Sequence, residues 1–183
     1  MANPEYKETL DGLDKLSVCL YRTGISLFSL SILLLAGALS GKVEGLIGFT
    51  DPVLLMIAVS AALCAANIHV YSKHVRAAIS WSAWVGLALM ISDPEQVRTG
   101  MSLGFIFITF SGIALKESFC FKVFGLKAVP VLLAISAFAI WFEQPMIASA
   151  ALAFSSLVMG YLSFAKWRMP LHFDIGIKSN YEV

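Results

Sequence analysis

The sequence predicts an all-α membrane protein, a polytopic bundle of six transmembrane helices preceded by an N-terminal amphipathic surface helix. Composition is the first support. Of the 183 residues, 58% are apolar and only 14% are charged, with a mean hydropathy of +0.81, whereas a soluble domain keeps roughly a quarter of its residues charged. The net charge of +1 supplies no basic field that could attract nucleic acid. A soluble domain and a nucleic-acid-binding protein are therefore excluded.

The distribution of the charges gives the number of helices. Charged residues fall in short islands, and between the islands lie six apolar stretches, at residues 23–39, 53–71, 77–92, 100–115, 123–142 and 146–165. A hydrocarbon core of about 30 Å needs about 20 helical residues. The third stretch is short, and Lys73, His74 and Arg76 can complete it because long side chains reach the membrane surface. The fourth can continue through 117–121. Continuous apolar runs do not alternate as the strands of a membrane β-barrel must.

Three regions follow from this pattern. Residues 1–22 form a predicted cytoplasmic amphipathic helix, because Leu10, Leu13, Leu16 and Leu20 recur at helical spacing. Its polar face is net acidic, so we expect it to pack on the protein's own inner surface rather than on anionic lipid. Residues 23–165 form the six-helix transmembrane domain, and residues 166–183 form a cytoplasmic tail.

The cations predict the orientation. In the six-span arrangement, 11 of the 13 Lys and Arg residues lie on one side of the membrane, and only Lys42 and Arg98 lie on the other. Cytoplasmic loops carry the excess of Lys and Arg. Both termini are therefore predicted to be cytoplasmic.

Small residues indicate where helices approach each other, since lipid tails are as apolar as Leu and helix association needs close packing. Two stripes stand out, one in the second stretch and one in the fourth. They are Ala58, Ala62 and Ala66, and Gly100, Gly104 and Gly112. Packing within one bundle and a homodimer seam both remain open for these stripes.

The chemically reactive side chains gather at the predicted cytoplasmic face. The candidate site is a recess formed by the links between the second and third and between the fourth and fifth stretches, with the residues His69, Tyr71, His74, Arg76, Lys116, Glu117, Cys120 and Phe121. His69 and His74 are five residues apart, which suits one helix face poorly. No catalytic, metal-binding or cofactor motif is present in the sequence. Glu117 is expected to form ion pairs with Lys116 and Lys122.

The segment Gly112 to Phe121 contains Lys-Glu-Ser-Phe-Cys-Phe, which resembles the Lys-Glu-x-Phe-Cys-Phe signature of a family of small bacterial integral membrane proteins classed as a domain of unknown function. The similarity extends to the Tyr-Ser-Lys-His segment at Tyr71 to His74. The resemblance implies a multi-pass protein of the bacterial inner membrane and implies no activity. Lys116, Glu117, Cys120 and Phe121 are the positions that match the signature.

Three functional hypotheses remain. The first is a non-catalytic interaction or assembly component, because the span centres contain no Asp, Glu, Lys or Arg and ion-coupled transport usually requires such residues. The second is a permeation protein for a small neutral solute. The third is a membrane-embedded enzyme or metal protein that uses His74, Glu117 and Cys120. The expected partners are the lipid bilayer and either a second copy or another membrane protein, with no nucleic acid and no cofactor.

Overall fold

The computed structural model describes residues 8–46, 48–120 and 123–182, and this part of the chain contains helices and no strand. Six apolar helices follow one another along the chain: α1 Gly12–Ser40, α2 Thr50–Ala66, α3 Lys73–Ile91, α4 Thr99–Cys120, α5 Val129–Trp141 and α6 Pro145–Trp167. A short helix α7, His172–Ile175, lies in the C-terminal tail. Three 3-10 turns complete the secondary structure, at Glu44–Leu46, Leu126–Ala128 and Lys178–Asn180. Each predicted apolar stretch thus corresponds to one helix.

Four of the six helices, α1, α3, α4 and α6, are long and apolar enough to cross a membrane. Helix α2 is shorter, and so is the apolar helical segment Leu126–Trp141, which consists of the second 3-10 turn and α5. At about 1.5 Å per residue, the 17 residues of α2 extend about 26 Å. The all-helical membrane class is therefore confirmed, with four candidate spans.

Helix α1 differs from the predicted boundary at residue 22. It begins at Gly12, where the Asp11 carboxylate accepts from the Asp14 amide at 2.8 Å and the Asp14 carboxylate accepts from the Asp11 amide at 3.0 Å. From there it continues unbroken to Ser40. Residues 12–22 are therefore continuous with the first apolar helix, and residues 1–7 of the predicted surface helix lie outside the described residues. The helix continues through Arg22 because the charge of this residue is paired with Asp174 inside the protein.

The helices pack as neighbours along the chain, and α1 also contacts α6. Hydroxyl groups reinforce these contacts by donating to backbone carbonyls of the adjacent helix. Ser156 donates to the Ser29 carbonyl at 2.8 Å, and Thr109 donates to the Ile79 carbonyl at 3.0 Å. The core contains the stacked rings of Phe28 on α1 and Phe110 on α4. Such hydrogen bonds add to van der Waals packing where no water competes.

The three glycines of the predicted α4 stripe face different surroundings. A Cβ atom added at Gly112 would lie 2.6 Å from the Ile79 side chain on α3, and one at Gly100 would lie 3.4 Å from Trp141 on α5. A Cβ at Gly104 would meet nothing within 4 Å. Gly112 is therefore a close-packing position and Gly104 borders open space.

On α2, the predicted stripe lies beside the buried face. Ala58 and Ala62 are half-buried and Ala66 is exposed, whereas Ala61 and Ala65 are buried. Two further close helix approaches occur at glycines outside the predicted stripes. A Cβ at Gly24 would lie 2.6 Å from Cys64 Sγ, and one at Gly86 would lie 2.9 Å from the Ser102 carbonyl oxygen.

Gly86→Ala and Gly104→Ala form a matched pair for testing helix packing. Both add one methyl group inside an apolar helix, but only the methyl at position 86 meets backbone atoms of α4. Overpacking costs about 1–3 kcal/mol, so we expect Gly86→Ala to lower the free energy of unfolding by about this amount and Gly104→Ala to lower it by less. Denaturation in detergent micelles measures both, and equal effects would contradict the assigned α3–α4 contact.

Candidate functional site

Glu117, near the end of α4, is buried with 1% of its surface exposed. Its Oε1 accepts a hydrogen bond from the Tyr21 hydroxyl at 2.8 Å and lies 3.0 Å from Lys116 Nζ. Its Oε2 lies 2.9 Å from Lys166 Nζ on α6. Each carboxylate oxygen thus has a partner, as a buried charge requires.

Lys166 links Glu117 to a second carboxylate in the tail. Its ammonium group forms an ion pair with Asp174 Oδ1 on α7. Asp174 Oδ2 accepts from Arg22 Nε at 2.7 Å and from Arg22 Nη2 at 2.5 Å. Arg22 also donates to the carbonyls of Met169 and Pro170, at 2.8 and 3.1 Å. One continuous network therefore joins α1, α4, α6 and the tail.

We call this network the charge cluster; it consists of Tyr21, Arg22, Lys116, Glu117, Lys166 and Asp174. Three cations face two carboxylates, so the cluster has a formal charge of +1. Arg22, Glu117, Lys166 and Asp174 are each at most 7% exposed, and Lys116 is the most accessible charged member, with 18% of its side chain exposed. The end of the bundle that contains the cluster is called the charged end below.

The tail crosses the charged end as a strap over the link between α2 and α3. The Ile177 amide donates to the Tyr71 hydroxyl at 2.9 Å, and the Glu182 amide donates to the Tyr71 carbonyl at 3.0 Å. Arg76 donates to the carbonyls of Val70 and Glu182, at 2.7 and 2.9 Å. Together with Asp174, these contacts fix the tail at both of its ends.

A cavity of about 690 Å³ lies beneath this strap, between α3 and α4. Its walls are mainly apolar, and the residues that line it are His69, Val70, Tyr71, Ser72, Val75, Ala78, Ile79, Ile108, Ser111, Gly112, Leu115, Lys116, Phe119, Cys120, Ile175 and Tyr181. Its volume is within the range of about 300–1,000 Å³ that is typical of small-molecule sites. Ile175 and Tyr181 belong to the tail, so the strap closes one side of the cavity.

The polar lining groups lie mostly at the charged end of the cavity. Burial, followed by the positive charge of Lys116, lowers the pKa of His69. A histidine whose pKa lies below its usual value near 6.5 is neutral at pH 7. Lys116 is therefore the cation among the described lining residues.

The cavity brings together four of the eight predicted site residues: His69, Tyr71, Lys116 and Cys120. Glu117 lies in the charge cluster and Arg76 holds the tail. His74 is exposed in the first turn of α3, and Phe121 lies outside the described residues. Among those described, no group of three or more His, Cys, Asp or Glu side chains could hold a metal ion.

Sequence reasoning missed the partners that surround Glu117. Lys116 is an expected ion-pair partner of Glu117, and it pairs with Glu117 in the structure. The other described cation that pairs with Glu117 is Lys166. The expected partner Lys122 lies outside the described residues. Tyr21, Arg22 and Asp174 were not assigned to a site. The sequence could have indicated a buried ion pair at Asp174, because an acidic residue between Phe173 and Ile175 is an isolated charge in an apolar segment.

The long apolar helices are those of an integral membrane protein, and comparison with known proteins agrees. Residues 62–183 match the model of a family described as "Uncharacterized integral membrane protein (DUF2301)", and the chain belongs to this family. It is also 33% identical, over the full length of both chains, to an uncharacterised protein of Haemophilus influenzae. No solved structure matches the chain. The matched residues include α3, α4, α6 and the tail, and the significance of the Lys-Glu-x-Phe-Cys-Phe segment itself stays a prediction.

Lys166→Met tests the charge cluster. The variant keeps a long side chain but removes the cation shared by Glu117 and Asp174. Removing one partner of a buried ion pair costs about 3–5 kcal/mol, and we expect a loss of this size in the free energy of unfolding. Lys178→Met is the control, because it removes an exposed ion pair with Asp14. Equal losses in the two variants would show that the cluster does not hold the bundle together.

Gly176→Ala tests the strap. Gly176 has φ +68°, and a Cβ atom there would lie 2.0 Å from the Tyr71 hydroxyl oxygen. The alanine variant should loosen the tail and accelerate tryptic cleavage after Lys178 in the purified protein. Gly45→Ala, where a Cβ meets nothing within 4 Å, is the control. Unchanged cleavage in Gly176→Ala would mean that the tail is not held at Tyr71.

Proposed function

We propose that the protein crosses the bacterial cytoplasmic membrane six times, with both termini in the cytoplasm. Helix α2 and the helical segment Leu126–Trp141 would be the two further spans beside the four longer ones. The distribution of the cations supports this orientation, because 11 of 13 lie on the side of the charged end in a six-span arrangement. Pairing of Glu117 with Lys166, and of Arg22 with Asp174, supports a common side for these residues.

Cysteine labelling tests the orientation. In a variant with Cys19 and Cys64 replaced by serine, the exposed Cys120 should react with a membrane-impermeant maleimide only after the cells are permeabilised. The same background with Cys120→Ser and Gly45→Cys places the thiol at the opposite end and should react in intact cells. The reversed pattern, or labelling of both variants in intact cells, would contradict the six-span orientation.

We further propose that the protein is a non-catalytic binding component of the membrane and that the cavity is its binding site. One observation carries this proposal: an apolar cavity of about 690 Å³ between two membrane helices, with polar groups confined mostly to one end. Concave apolar sites with a few polar groups are the usual form of ligand pockets. The ligand is thus expected to be lipophilic and to come from the bilayer.

The geometry favours this role over the two alternatives. An enzyme that used His74, Glu117 and Cys120 would need these side chains to converge, yet Glu117 is buried in ion pairs and His74 is exposed at the start of α3. A pore for a neutral polar solute would need polar walls, whereas the cavity between α3 and α4 has mainly apolar walls.

A cavity-filling variant tests the binding role. Ala78 lines the cavity and its neighbour Ala77 is exposed on α3 without lining it. Native mass spectrometry of the purified protein should show a bound lipophilic molecule at 1:1 stoichiometry. Ala78→Phe should lose this molecule, because the ring occupies its space, and Ala77→Phe should retain it. Absence of the molecule from the wild-type protein, or equal retention by both variants, would overturn the proposal.

A further inference from the structure

We propose that the ligand of the cavity is a single-chain amphiphile with an anionic head group, such as a long-chain carboxylate. Its head group would lie at Lys116, and its chain would extend along α4 toward Ile108. This inference rests on the proposed binding function and adds the chemical class of the ligand.

The lining changes character along the cavity, which is the pattern that an amphiphile requires. At the charged end the lining includes Tyr71 and Lys116, whereas further along the helices it includes Ile79, Ile108 and Gly112. From Lys116 to Ile108, eight residues at a rise of about 1.5 Å each give a length of about 12 Å. An elongated apolar slot with one polar end fits an acyl chain better than a compact polar solute.

A tight helix contact forms one wall of the slot, between Lys116 and Ile108. The side chain of Ile79 on α3 lies against Gly112 of α4. The Ile79 carbonyl accepts a hydrogen bond from the Thr109 hydroxyl at 3.0 Å. The two helices are thus held together there. A cavity of about 690 Å³ suits one chain, since sites of about 300–1,000 Å³ enclose single drug-sized ligands.

The charge at the polar end favours an anionic head group. The charge cluster contains three cations and two carboxylates, and Lys116 is the cation that both belongs to the cluster and lines the cavity. A head-group anion beside Lys116 would bring the formal charge of the cluster to zero. Charge-assisted hydrogen bonds of an ammonium group to an oxyanion are roughly twice as strong as neutral ones.

His69 supplies a second polar contact at the same end. Its Nδ1 is buried and has no hydrogen-bond partner of normal geometry among the described residues. A neutral imidazole offers one donor and one acceptor nitrogen, and a buried polar atom without a partner lowers stability. A head-group oxygen or hydroxyl within reach of His69 would satisfy this atom.

The exposed lining residues indicate how a ligand would reach the cavity from the membrane. Phe119, Ile108 and Leu115 on α4 and Val75 on α3 are between 43% and 74% exposed and line the cavity. Exposed apolar side chains on membrane-spanning helices face lipid. The ligand would therefore enter sideways, between α3 and α4, with its chain already in the bilayer.

Equilibrium binding of two probes of equal chain length to the full-length, delipidated protein tests the inference. The probes are hexadecanoate and hexadecanol, compared at a pH at which the carboxylate is ionised. Hexadecanoate should bind at least about tenfold more tightly, because one hydrogen bond to a charged group contributes this much. Lys116→Gln should bring the affinity ratio of the two probes close to one. Lys116→Arg and the control Lys127→Gln, an exposed cation outside the cavity, should preserve the ratio.

The ratio within each variant separates recognition from folding, since a damaged fold weakens both probes together. An unchanged ratio in Lys116→Gln, or equal affinities in the wild-type protein, would overturn the anionic head group but leave the binding function standing. Binding of neither probe to the wild-type protein would overturn the binding function as well. Displacement of hexadecanoate by phosphatidylglycerol at lower concentrations than by unlabelled hexadecanoate would overturn the single-chain assignment.

Discussion

The structure depends on the shared pairing of Lys166 with two buried carboxylates, Glu117 and Asp174. Buried charges require partners, and here the partners come from different parts of the chain. Glu117 belongs to α4, Lys166 to α6 and Asp174 to the tail, while Arg22 of α1 holds the other side of Asp174. Because each buried charge needs a partner of opposite sign, these ion pairs hold α1, α4 and α6 together at the charged end and keep the tail against the bundle.

The cavity is a consequence of this arrangement. Lys116 adjoins Glu117 on α4, so the pairing that anchors α4 also positions the cation of the lining. The anchored tail places Ile175 and Tyr181 over the opening. Between Lys116 and Ile108, the contact of Gly112 with Ile79 brings α3 against α4. The slot is thus bounded by an ion-pair network at one end and by close helix packing along one wall.

The sequence predicted the helices well, and the functional role of the candidate site residues stays a prediction. Six apolar stretches separated by charges identified six helices, and the polar links identified the region of the cavity, including His69 and Lys116. Long-range pairing was beyond reach, because nothing near Arg22 in the sequence indicates that its partner lies 152 residues away at Asp174. For the same reason the charge at Arg22 was interpreted as a helix boundary, whereas α1 continues through it.

Photocrosslinking tests the central claim, which is that the slot between α3 and α4 selects an anionic amphiphile. A diazirine-bearing long-chain carboxylate should modify peptides of α3 and α4 that line the cavity, around Ala78 and Leu115, and excess hexadecanoate should suppress this labelling. Labelling spread evenly over lipid-facing residues elsewhere, such as Phe154 and Leu157 on α6, and not suppressed by hexadecanoate, would contradict the account.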